Sequence, residues 1–105
     1  MRPTPWEWVA VIAFYAAVHY VNAYLWEDRR LKPGSHGERR TAVQSDPRTS
    51  SCRASYRDLQ DAGYRARYVE TFTLSHQRAH ALLDVHLRRV ETTMMQALGQ
   101  PVPVW

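Results

Sequence analysis

Tyr15, His19, Asn22 and Trp26 stand four, three and four residues apart. On a helix that spacing puts a phenol, an imidazole, a carboxamide and an indole along one stripe. The stripe reads either as one wall of a binding cleft or as a set of polar groups that other helices satisfy to fix their register. A second group begins at Ser35-His36-Gly37-Glu38. A helix starting there exposes unpaired N–H groups and the positive end of its dipole, with His36 in the first turn and Arg39 and Arg40 one turn on, an arrangement suited to an anion. A third group is Tyr64, Arg65, Arg67 and Tyr68. There guanidinium groups can pair with phosphates and phenol rings can stack on bases, or arginine can fix a carboxylate while tyrosine caps a core.

His76, His80 and Asp84 recur at helical spacing. Two histidines four apart can chelate zinc, but Gln77 and Arg78 take the place of the glutamate such helices need, and Arg78 repels a cation. Neither a metal nor another cofactor is expected. The chain holds no Walker loop, GxSxG, GxGxxG or cysteine cluster, so those nucleotide and hydrolase chemistries have no support.

These groups need a scaffold, and 105 residues supply one domain. Apolar residues make up 45% of the chain, enough to fold. Cys52 is alone, so no intrachain disulfide forms, as in a reducing cytoplasm. From Asp28 to Arg67 ten basic residues face five acidic ones. That segment would attract phosphates or an acidic partner, or serve as a solvated surface.

Thr4-Pro5-Trp6-Glu7 is a helix start, and the first helix is expected to run to about Asp28. Its uncharged run from Val9 to Trp26, with tryptophans at both ends, imitates a membrane span. Tyr15, His19, Tyr20, Asn22 and Tyr24 dilute it, which favours a helix enclosed by protein and no membrane contact. Lys32-Pro33-Gly34 breaks the helix. A second spans His36 to about Ser45, and Thr49-Ser50-Ser51 reads as loop. A third spans Ala54 to Tyr68 with a bend at Gly63. A fourth runs from a Ser75 cap to about Leu98, where Gly99 and Pro101 stop it. Ala10, Ala13 and Ala17 form a small-residue strip that another helix, or a second copy of the chain, can approach closely.

FYAAVHYVNAYL on the first helix, SHGERR opening the second and YRDLQDAGYRARY on the third resemble, in that order and spacing, the HEPN superfamily. The resemblance covers residues 6–98. It implies an all-α bundle of four or five helices that commonly dimerises and works with RNA or nucleotides. Many HEPN proteins are metal-independent ribonucleases of toxin–antitoxin, phage-defence or CRISPR-linked systems. Their arginine and histidine, a few residues apart, promote attack of a ribose 2′-OH on the adjacent phosphate in a cleft shared by two copies. Histidine suits proton transfer near neutral pH and arginine suits phosphate charge. This chain departs from that pattern. No such pair falls on its last two helices, and the closest, Arg29 or Arg30 with His36, spans a loop.

The expectation is therefore an all-α, up-and-down four-helix or five-helix bundle over residues 1–98 with an extended tail over 99–105. It would be cytoplasmic and homodimeric, binding RNA or a nucleotide, with a protein partner encoded nearby. His19, His36 and Arg67 are the groups expected to act on a bound phosphate. Tyr15, Asn22, Arg40, Tyr64 and Tyr68 are expected to hold the ligand. Two rivals share these residues: a metal-independent ribonuclease with a divergent Arg/His site, and a noncatalytic partner or assembly protein whose first helix is an interface.

Overall fold

The computed structural model describes residues 5–69 and 71–100. Its helices are α1 (Pro5–Arg29), α2 (His36–Ser45), α3 (Arg53–Tyr68), α4 (His76–Ala81) and α5 (Arg88–Ala97). A 3₁₀ segment, Pro47–Cys52, joins α2 to α3, and a π-helical segment, Leu82–Leu87, carries α4 into α5 without a break. No strand occurs among the described residues. The fold is all-helical, as expected. The Thr4 cap and residues 101–105 of the expected tail lie outside the described residues.

α1 is the central element and touches all the other helices. Ala10, Ala13, Phe14, Ala17, Val18, Val21, Tyr24 and Leu25 are buried along it. Burying side chains such as Phe14, Val21 and Leu25 contributes about 1.5–3 kcal/mol each. Ala10, Ala13 and Ala17 are fully buried, so this small-residue strip packs within the chain, which corrects its reading as a surface for a second copy. The opposite edge of α1 is uncovered: Trp8, Ile12, Tyr15 and Trp26 are 53%, 63%, 39% and 41% exposed. By length and composition α1 could cross a membrane, and 44% of its most apolar window is buried against the rest of the chain.

α1 ends before the expected Lys32-Pro33-Gly34 break. Arg30 takes a left-handed φ of 51°, while Arg30 N–H bonds Trp26 O and Leu31 N–H bonds Leu25 O, both at 3.1 Å. This closes the helix with a residue where glycine is usual. Ser35 caps α2 as expected: its Oγ accepts from Glu38 N–H at 3.1 Å, and Glu38 accepts from Gly34 N–H at 2.6 Å.

The segment expected as loop around Thr49 is helical instead. Asp46 accepts from Arg48 N–H at 2.9 Å and Pro47 presets the first turn. The buried Thr49 hydroxyl donates to Val43 O and Asp46 O. Burial alone would raise the Asp46 carboxyl. The Tyr24 hydroxyl, the Arg48 N–H and the Arg48 and Arg29 charges outweigh burial and hold it below the usual range. Cys52, the fully buried last residue of this segment, has its thiol pushed up to about 11 by burial.

α3 runs as one unbroken helix through Gly63. A Cβ at this position would stand 2.9 Å from Phe14 Cβ, so glycine is what lets α3 lie close on α1. Ser75 caps α4, accepting from Arg78 N–H at 3.2 Å. Gly99, at φ 72°, ends α5 as expected.

Candidate functional site

α1, α2 and α3 bring one cluster together. Asn22 Oδ1, on α1, accepts from Arg39 Nε at 2.8 Å, and Arg39 Nη1 donates to His36 Nδ1 at 2.8 Å. Arginine only donates, so Nδ1 is bare and the neutral ring holds its proton on Nε2. Burial lowers the His36 pKa below its ordinary 6.5, and the Arg39 and Arg67 charges push it the same way. The ring packs on Phe14 with centroids 5.1 Å apart, and Phe14 also meets the buried Tyr56 at 6.1 Å. Burial pushes the Tyr56 phenol up to about 12 against the pull of Arg39 beside it.

Arg67 completes the cluster from α3. Its Nε donates to Gly63 O at 3.3 Å and its Nη1 to the Tyr15 hydroxyl at 2.6 Å. The guanidinium carbon lies 5.3 Å from the Tyr15 ring centroid and 5.0 Å from that of Tyr68. Tyr68 in turn sits 5.0 Å from Tyr64, and both rings are mostly exposed. The result is a pair of open aromatic faces beside a fixed cation.

The surface is rich in donors. The Asn22 amide N–H, His36 Nε2–H, Arg67 Nη2 and the Tyr15 O–H have no acceptor among the described residues. Neither Arg39 nor Arg67 pairs with a carboxylate there. Such an arrangement attracts anions and stacks flat rings.

Of the expected site residues, Tyr15, Asn22, His36, Arg67, Tyr64 and Tyr68 converge. His19 does not join them as expected. It is exposed and makes no hydrogen bond or ion pair among the described residues, because the uncovered edge of α1 has no neighbour between Tyr15 and Asn22. Arg40 is also displaced: it lies 3.8 Å from Asp61, and Arg39 holds the place expected for it. Phe14, Arg39, Tyr56 and Gly63 are the supporting residues that motif reading missed. His76 and His80 pack ring to ring at 4.3 Å under Trp6, and His80 Nδ1 is 3.7 Å from Asp84.

A groove of about 610 Å³ on the other flank of α3 is lined by Asp58, Asp61, Arg65, Phe72, Arg78 and His86, among others. His86 bonds Ser55 Oγ at 3.1 Å and lies 3.8 Å from Asp58. Its two carboxylates oppose an anionic ligand, so the cluster on α1, α2 and α3 is the better anion site.

Comparison with known proteins gave no matching family model, no curated relative and no similar solved structure.

Proposed function

We propose that this protein binds RNA or a nucleotide through the Asn22–Arg39–His36 and Tyr15–Arg67–Tyr68 surface, on an up-and-down bundle of HEPN type. The observation that carries the reading is two anchored guanidinium groups, without carboxylate partners among the described residues, set beside the exposed Tyr64 and Tyr68 rings. Guanidinium meets phosphate and tyrosine meets base, which are the two chemistries of a nucleotide. Changing Arg67 and His36 together to alanine is expected to weaken binding of a labelled single-stranded RNA about tenfold or more. The salt dependence should become shallower by about one unit of slope and the thermal melt should change little. Unchanged affinity in the double variant would remove the site assignment.

Metal-independent cleavage is the second reading, favoured by an imidazole bonded to one guanidinium and within the field of a second. Binding is preferred because Arg39 occupies His36 Nδ1 and leaves Nε2 as a donor, whereas a general base needs a bare nitrogen facing the 2′-OH. RNA cut in EDTA with cyclic-phosphate ends would reverse that preference. A cytoplasmic role beside a toxin–antitoxin, phage-defence or CRISPR-linked partner belongs to the same proposal. So does self-association, for which the exposed Trp8, Ile12 and Trp26 on α1 offer the surface.

A further inference from the structure

Arg39 is more deeply placed than a general phosphate contact requires. It is 8% exposed, yet its partners are the neutral Asn22 Oδ1 and His36 Nδ1. Two other buried charges, Asp46 and Glu91, have counter-charges: Arg29 and Arg48 stand by Asp46, and Arg88 by Glu91, while the buried Glu7 shows no ion pair among the described residues. The buried Tyr56 hydroxyl has at most the Arg39 guanidinium as a donor beside it, so its own O–H finds no acceptor among the described residues. A buried guanidinium without a counter-charge, beside a buried hydroxyl whose proton has no acceptor, marks a place where an anion belongs.

Charge matching narrows the anion. Arg39 and Arg67 together present two fixed positive charges. A bridging phosphodiester returns one negative charge and is flanked by sugars on both sides. A terminal phosphomonoester carries about −1.5 to −2 at neutral pH and exposes three oxygens. It also projects beyond the sugar, so it can reach a recessed guanidinium. The Tyr68–Tyr64 pair next to Arg67 leaves the attached nucleoside a surface to stack on.

We propose that the site receives the terminal phosphomonoester of a nucleotide, carried by a mononucleotide or by the end of an RNA strand. This inference rests on the nucleotide-binding reading above and specifies which phosphate it takes.

The test measures affinity at one fixed low salt for a short labelled oligouridylate with hydroxyl ends, with a 5′-phosphate and with a 3′-phosphate. Uridine monophosphate, uridine and inorganic phosphate serve as competitors. A terminal phosphate at one end should tighten binding about tenfold or more, and Arg67→Ala and Arg39→Gln should each abolish that gain. Arg67 is only half-buried, so its variant keeps the test valid if Arg39→Gln fails to fold. Uridine monophosphate competing as well as phosphorylated RNA identifies the free nucleotide as the source; failure to compete identifies the strand end. Equal affinity for hydroxyl-ended and phosphorylated RNA, with the Arg67 dependence kept, would overturn this inference and leave the binding reading standing. Inorganic phosphate competing as well as the nucleotide would overturn it too. No binding of any probe would end both.

Discussion

His36 is a ring whose chemistry is set by one neighbour. Because Arg39 donates to Nδ1, protonating that nitrogen breaks the contact and places two like charges side by side. A nuclear magnetic resonance titration should therefore give His36 a midpoint below 6.5, and Arg39→Gln should raise it. The sign for stability follows. The folded pKa lies below the unfolded one, so the unfolded chain takes up this proton first as pH falls. The His36 contribution is intact above about pH 6.5 and is lost as pH drops through the folded value. The stability difference between the protein and His36→Gln should narrow over that window, measured by denaturant unfolding. Much of this was legible from residue types: Tyr15, Asn22, His36, Arg67 and Tyr68 all announce themselves by spacing. Arg39 and Arg40 are both a turn from His36, and motif spacing alone does not separate them. The discriminating sign was that Ala42 and Val43 both lie one turn on from Arg39, whereas only Val43 is so placed from Arg40.

At the level of elements, α3 shows how a small residue positions larger ones. Gly63 lets Phe14 approach, Phe14 carries His36 and Tyr56, and Gly63 O receives Arg67. Gly63→Ala gains about 1 kcal/mol of helix propensity but forces Phe14 or the helix to move, a cost of about 1–3 kcal/mol. A net loss of about 1 kcal/mol, seen as a melting temperature several degrees lower, is the expected outcome; a more stable variant would show that α3 has slack against α1. Capping chemistry made the helix boundaries readable at Ser35, Ser75 and Gly99. The 3₁₀ segment was not, because Thr49-Ser50-Ser51 is loop-like in composition and only the burial of Thr49 reveals its packing. The π-helical segment was missed for a related reason. Leu83 and Leu87 suit an α-helix at four apart, whereas the chain buries Leu82 and Leu87, five apart.

Across the whole molecule, the all-helical class followed from periodicity, and the central place of α1 followed from its apolar circumference. The uncovered edge did not, since sequence cannot say how many neighbours a central helix will find. On the proposed self-association, Ile12→Glu should convert an oligomer to a smaller species in analytical ultracentrifugation. Its melting curve at low concentration should be unchanged, because Ile12 is 63% exposed. A single species of monomer mass before substitution would end that proposal. The lone thiol at position 52 has another use. Sealed from water and poorly ionised, it meets an alkylating reagent only when the helices part, so the rate at which reagent labels this chain clocks how often the native bundle opens.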